Sequence, residues 1–278
     1  MVIGGEQASE ADIAQIRESL GLNRPYLVRF GEWGWRVLHG DLGVSLFTQI
    51  PVSDLIVQRM EPTIALMTLS MLISVTIAVP LGVLAAIHPG GWIDRFVIGL
   101  AVVGFSMPVF VVGYVLAYIF SVQLQWLPVQ GYQPLSGGFW PFFKSLVLPS
   151  MALGLAYIAL IARVTRASML EVLALDFLRT ARAKGLPPSQ IFFIHALKAA
   201  AVPIITVIGI GIAALIGGAV ATESVFGIPG LGRLTVDSMI RLDYPVIQGV
   251  ILLFSLTYVA INLIVDLLYR VVDPRIRY

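Results

Sequence analysis

No cysteine occurs among the 278 residues. That excludes disulfide staples, thiolate catalysis and cysteine-ligated zinc. Charge is also scarce. Asp, Glu, Lys and Arg make up 12% of the chain, about half the share of an average soluble domain. So few charges do not coat a water-facing surface. Histidine occurs only at His39, His88 and His195, in three separate segments. With no i, i+4 pair, a helical zinc site has no basis. The sequence also lacks a Gly-x-Ser-x-Gly elbow and a Walker-type Gly-x4-Gly-Lys-Ser/Thr loop, so neither an esterase-like triad nor a P-loop is expected. A net charge of +2 leaves no footprint for nucleic acid.

Apolar residues dominate instead. Hydrophobic types reach 58% and the mean hydropathy is +0.91. Disordered and collagen-like chains are excluded by that content and by the aperiodic glycines. An all-α polytopic membrane protein remains. Stretches almost free of Asp, Glu, Lys and Arg predict five spans, about 64–87, 96–122, 143–163, 199–222 and 245–268. Each approaches or exceeds the roughly 20 residues that cross a bilayer core as a helix. Between the second and third, Gly131-Tyr-Gln-Pro-Leu-Ser-Gly-Gly138 is polar and turn-rich.

Five spans put the chain ends on opposite sides, and Lys and Arg favour cytoplasmic loops. A cytoplasmic C-terminus gathers Arg95, then Arg163, Arg166, Arg179, Arg182, Lys184 and Lys198, then Arg270, Arg275 and Arg277 on the inside. Only Lys144, Arg233 and Arg241 fall in the short outer loops. The expected organisation is an outer segment 1–60, a transmembrane domain 61–270 with a cytoplasmic loop at 168–198, and a cytoplasmic tail 271–278. A charged outer segment with no span ahead of it has no route across the membrane. The simplest expectation is a missing N-terminal helix, through a late start codon or a fragment.

The outer segment carries helix signals. Ser9-Glu-Ala-Asp12 resembles a capping box, followed by Ile13, Ile16 and Leu20 and a stop at Gly21. Pro25 opens a second helix with Tyr26, Phe30, Trp33 and Val37 as its apolar stripe and Trp35 beside it. A platform at the outer mouth and plain packing against the spans both fit. Among the spans, Pro80 and Pro108 are expected inside helices, and Gly104 to Gly113 is the most irregular interior. Ser106, Met107 and Pro108 there are candidate pathway-lining residues; a structural kink is the alternative. Gly209, Gly211, Gly217 and Gly218 suit close helix contact or a moving gate. No ionisable residue is expected mid-membrane, which argues against an ion-coupled carrier.

The stretch Arg163 to Lys198 is the most informative. Ser168-Met-Leu-Glu171 reads as a capping box opening a helix, with Leu170, Leu173, Phe177 and Ala181 on one side and Asp176, Arg179 and Thr180 on another. Gly185 ends it through positive φ. Leu186-Pro-Pro-Ser189 turns the chain, and Ile191 to Lys198 forms a second short helix. Phe192, Phe193 and Ile194 lie near the tip of this basic loop, which suits docking to a cytoplasmic protein; positive-inside charge alone also accounts for it.

Arg179-Thr-Ala-Arg-Ala-Lys-Gly-Leu186, followed by His195-Ala-Leu197 and Pro203, resembles the EAA loop of ABC importer permeases of the dipeptide/oligopeptide/nickel family, B-type subunit. Gly40-Asp-Leu-Gly43, Thr222 to Arg233, Asp243-Tyr-Pro245 and the ending Asp273 to Arg277 match as well. The resemblance covers about residues 10–278. Ala181, Gly185 and Leu197 meet the general loop pattern, while its Glu and Pro are replaced in the manner of this subfamily.

The resemblance implies a type I ABC importer transmembrane domain in the bacterial inner membrane and a subunit that is not itself an enzyme. The implied partners are a second homologous permease, two cytoplasmic ATPases carrying ATP and Mg, a periplasmic substrate-binding protein and membrane lipid. No cofactor is expected on this chain. Arg179, Thr180, Ala181, Arg182, Lys184, Gly185, His195 and Leu197 become the ATPase-coupling residues, and peptide the implied cargo. A secondary carrier or channel not coupled to ATPases is the alternative.

Overall fold

The computed structural model describes residues 24–272. The expected capping box at Ser9–Asp12 with its helix to Gly21, and the Asp273–Arg277 ending, lie outside the described residues.

Helices account for nearly all the regular structure, because an apolar run in lipid must satisfy its backbone internally. They are α1 (Tyr26–Leu38), α2 (Val52–Ile87), α3 (Trp92–Ser106), α4 (Val109–Ala117), α5 (Phe139–Leu173), α6 (Asp176–Ala183), α7 (Pro188–Gln190), α8 (Leu197–Ala199), α9 (Ala201–Phe226), α10 (Leu231–Arg241) and α11 (Tyr244–Val272). A π-helical turn, Tyr118–Gln123, extends α4, and another, Ile191–Ala196, joins α7 to α8. The one β feature among the described residues is an isolated bridge between Val44 and Pro51.

Four helices (α2, α5, α9 and α11) are long and apolar enough to cross a membrane, and the bent pair α3–α4 makes a fifth if it is counted as one span. The expected spans sit inside longer helices. The 36 residues of α2 and the 35 of α5 extend to more than 50 Å at about 1.5 Å per residue, well beyond a bilayer core of about 30 Å. Their polar ends therefore project into water. Hydropathy marks the part of a helix in lipid, whereas the hydrogen-bonded helix runs on until a breaker stops it.

The two long helices form the centre. Leu66, Met71, Ala78 and Ala85 of α2 share one core cluster with Leu146, Leu153, Ile161 and Ala162 of α5. Small residues permit this closeness. A Cβ at Gly82 would lie 2.6 Å from the Thr165 Cβ, and one at Gly154 would lie 2.9 Å from the Ser74 Oγ. Ser74 Oγ donates to Gly154 O at 3.0 Å, tying the helices at that point. On α9, Gly211 faces Met71 and Tyr157, Gly218 faces Leu153, and Gly209 is pressed against Val265 of α11; Gly217 has open space. Three of the four glycines of that run are thus contact points.

Several local expectations change. Pro108 is not inside a helix: it is the N-cap of α4, just after a 105° bend between α3 and α4. A proline lacks the N–H that would continue the ladder, and Met107 before it is extended, as proline favours. Pro80 does lie within α2, and Pro149, expected near an end, lies within α5. Ser168 does not open a helix. It is buried inside α5, which continues to Leu173, and the next helix starts at Asp176. Residues 168–173 therefore belong to the long helix, and the loop proper begins after it.

Candidate functional site

The loop at the end of α5 is held from beneath and open above. Leu178 of α6 is fully buried and Ile191 nearly so, in a cluster with Val83 and Ala86 of α2, Met169 and Val172 of α5 and Ile204 of α9. Ala181, Leu186, Phe192 and Leu197 pack partly against the same cluster. The loop thus sits on the ends of three spanning helices. Phe177, expected on the packed side, is exposed instead, and Leu178 takes its place. The break at Ala174 and Leu175 resets the helical phase, so a stripe counted from Leu170 does not carry across it.

The sequence-marked residues divide into two sets. Ala181 and Leu197 help anchor the loop. Arg179, Thr180, Arg182, Lys184, Gly185 and His195 are exposed, next to exposed Leu175, Phe177, Phe193 and Ile194. Thr180 Oγ1 donates to Asp176 O at 3.2 Å, closing the first turn of α6. The Arg179–Asp176 ion pair, also 3.2 Å, is largely in solvent and contributes little to stability. Gly185 has φ +77° and nothing within 4 Å of where a Cβ would be. Its N–H donates to Arg182 O at 3.0 Å, and the Leu186 N–H donates to Ala181 O at 3.3 Å. This left-handed stop redirects the chain from α6 toward α7. The result is a basic surface studded with apolar side chains, on a braced support.

An ion pair near this end has no counterpart among the expected features. Asp94 of α3 accepts from the guanidinium of Arg166 of α5 through both carboxylate oxygens, and its Oδ2 also accepts from the Gly90 N–H at 2.8 Å. Asp94 is buried. Arg166, counted above as a loop charge, is therefore an internal tie between spanning helices. Arg163 lies over the Phe105 ring at 5.7 Å, a cation–π distance. The pairing of Asp94 with Arg166 was not legible because 72 residues separate them.

Ser106, Met107 and Pro108 sit at the bend between α3 and α4. Ser106 Oγ donates to Val102 O at 2.8 Å, and Ser106 and Met107 are exposed on this chain. They are not near the loop residues.

The remaining motifs meet at the opposite end of the bundle. Gly227 is the left-handed C-cap of α9, and the chain turns through Gly230, the N-cap of α10, which begins at Leu231. Glu223 is fully buried beneath it. Its carboxylate accepts from Thr63 Oγ1 at 2.6 Å and from the Arg233 N–H at 2.9 Å, while Thr63 Oγ1 accepts from the Leu231 N–H at 2.8 Å. The carboxylate thereby caps α10, where helix N–H groups lack intrahelical partners. Asp243 accepts from Ser45 Oγ at 2.5 Å and from the Leu46 N–H at 3.1 Å. This ties the segment after Gly40–Gly43 to the corner before α11. Glu61 accepts from Tyr132 Oη at 2.9 Å and from the Leu135 N–H at 3.0 Å. Burial and the Glu61 carboxylate push the Tyr132 phenol well above the usual tyrosine range, so it stays a donor.

The family model described as binding-protein-dependent transport system inner membrane component matches residues 78–278. The chain is 54% identical over 277 residues to the probable peptide ABC transporter permease protein y4tP of Sinorhizobium fredii, covering 100% of this chain and 88% of that relative. It is 43% identical over 277 residues to the glutathione transport system permease protein GsiC of Salmonella paratyphi A, again covering 100% of this chain and 88% of the relative. Among solved structures, an inward-facing MetNI methionine ABC transporter superposes with a TM-score of 0.64 at 22% identity, over 79% of this chain and 96% of that one. An amino acid ABC transporter superposes with a TM-score of 0.56 at 17% identity, over 78% of this chain and 94% of that one. The fold is that of type I ABC importer permeases. The chain belongs to the family of binding-protein-dependent transport system inner membrane components and is a multi-pass permease component of an ABC importer.

Proposed function

We propose that this permease forms half of a peptide-importing pathway and is driven through its 175–198 loop by cytoplasmic ATPases. The peptide assignment rests on the y4tP relative, whose name specifies peptide, and on GsiC, whose cargo by name is the tripeptide glutathione. The observation that carries the drive is mechanical. An exposed basic and apolar surface at α6–α8 sits on α2, α5 and α9 through Leu178 and Ile191. A displacement of that surface is passed to three spanning helices as rigid bodies, because packed interfaces do not deform continuously. Two ATPases closing beneath a pair of such permeases would rock the helices between inward- and outward-open states. ATP and Mg would reside on the ATPases, and a second homologous permease would complete the pathway. Cargo would arrive from a periplasmic binding protein.

In this reading the loop end and the C-terminus are cytoplasmic, in keeping with Arg179, Arg182, Lys184 and Lys198 on the loop. Ser106, Met107 and Pro108 face the pathway at the bend, where interruption of the helix is tolerated against protein or water. Gly185→Asp tests the drive. It places a side chain on a left-handed backbone and a negative charge on a basic contact surface. Purified transporter in vesicles is expected to hydrolyse ATP while peptide uptake falls at least about tenfold, the factor for roughly 1.4 kcal/mol of lost coupling. Uptake at the wild-type level would refute the loop's role. Wild-type uptake without any ATPase subunit would establish a carrier or channel instead.

A further inference from the structure

The geometry points to a binding site for an anionic phospholipid between α1 and α11, with its phosphate held by Arg29 and Arg36. A cavity of about 520 Å³ separates these helices. Tyr26, Arg29, Phe30, Trp33 and Arg36 line one wall from α1, and Ile251, Leu252 and Ser255 belong to the other. Arg29 and Arg36 are seven residues apart, two helical turns, and so project from the same side of α1. They flank the aromatic stripe, roughly 70–90° around the helix from its centre. A solitary amphipathic helix would turn its arginines toward water, away from its aromatic face. Here both cations, though exposed to water, also line the cavity, opposite Gln248, Ile251, Leu252 and Ser255 of α11.

Arg29 and Arg36 are exposed at the mouth of the cavity, where one anion can reach both guanidinium groups. The one acidic residue of α1, Glu32, also lines the cavity but is engaged by Arg24 at 2.7 Å. Among the described residues that is the one ion pair made by α1. The arginine fork matches phosphate oxygens, and Trp and Tyr favour the depth at which headgroups lie. Below the cavity, α11 offers Leu256, Val259, Leu263 and Ile264, all exposed on this chain. A free phosphate would use the arginines alone. A phospholipid uses the arginines, the ring-lined cavity and the apolar flank beneath it, so the lipid is the occupant the site fits.

The test uses the complete transporter, purified and placed in phosphatidylcholine nanodiscs with increasing phosphatidylglycerol. Bound phosphatidylglycerol is read by native mass spectrometry after release. Arg29→Gln with Arg36→Gln is expected to weaken retention roughly thirtyfold, the factor for removing two near-surface cations. Arg241→Gln, an exposed arginine on α10, is expected to leave it unchanged. Ser255→Trp, which fills the cavity from α11 and keeps both arginines, is expected to weaken retention as well, and reads the site even if the double variant does not assemble. Unchanged retention in Ser255→Trp overturns the proposal, as does equal loss in Arg241→Gln. Displacement of the lipid signal by millimolar inorganic phosphate overturns the lipid assignment in favour of a simple anion site.

Discussion

Glu223 shows how one side chain organises a motif. Its carboxylate has no contact with solvent and answers Thr63 Oγ1 and the Arg233 N–H. Gly230 must be glycine because the carboxylate occupies the place of its Cβ. Gly232 must be glycine because a Cβ would lie 2.6 Å from the Val220 backbone. Glu223→Ala strips the acceptor from the buried Thr63 hydroxyl, at about 1–3 kcal/mol, and from the part-buried Arg233 N–H. Gly230→Ala forces an overpacked turn, at about 1–3 kcal/mol. For a chain of this size each kcal/mol lowers the thermal midpoint by about 2–4 °C. Both variants are therefore expected to melt several degrees below the wild type by scanning fluorimetry. A Gly230→Ala protein melting with the wild type would show that the carboxylate does not pack under that turn. The glycines between Thr222 and Arg233 were visible in the sequence. Their reason was not, because Thr63 lies 160 residues away from Glu223.

Between elements, the Asp94–Arg166 pair joins the start of the bent pair α3–α4 to α5, seven residues before α5 ends at Leu173. Removing Arg166 leaves the buried Asp94 charged and unpaired, at about 3–5 kcal/mol, and removing Asp94 costs less because Arg166 is partly exposed. Asp94→Asn and Arg166→Met are each expected to depress assembly and thermal stability strongly. The double variant, with both charges gone, is expected to be more stable than the sum of the singles by about 1–3 kcal/mol. Strict additivity in that cycle would mean the two groups do not interact. The breaks themselves were partly legible. Pro108 announced an irregularity and Gly185 a helix stop, since each limits the backbone by itself. Ser168-Met-Leu-Glu171 misled, because a capping pattern opens a helix only where the preceding chain is not already helical. Ser168 sits under tertiary contacts that carry α5 past it.

At the scale of the molecule, the number of crossings depends on whether α3 and α4 pass from one end of the bundle to the other. The contacts require it. Asp94 is bound near the loop end through Arg166, whereas Gly131 N–H donates to Phe226 O at 2.9 Å, at the far end of α9. The cysteine-free sequence gives a clean background for a labelling test. Single cysteines placed by His88→Cys, Ser136→Cys and Ser189→Cys are expected to react with an impermeant maleimide from two sides. Positions 88 and 189 share one side, because Val83, Ala86 and Ile191 occupy one cluster, and position 136 lies on the other. Positions 88 and 136 labelled from the same side would make α3–α4 a re-entrant hairpin.

Composition, hydropathy and residue pattern alone determined that the chain lives in a membrane, that it carries about five apolar spans and that a basic loop with a glycine stop lies between the third and the fourth. Those properties are local: lipid demands apolar runs, and proline and glycine act on their own backbone. Only the tertiary structure decided which loop residues anchor and which are presented, where Arg166 finds its counter-charge, and why motifs 160 residues and more apart are joined by buried hydrogen bonds. These depend on helical phase after a break and on contacts across the bundle, neither of which a run of residues records.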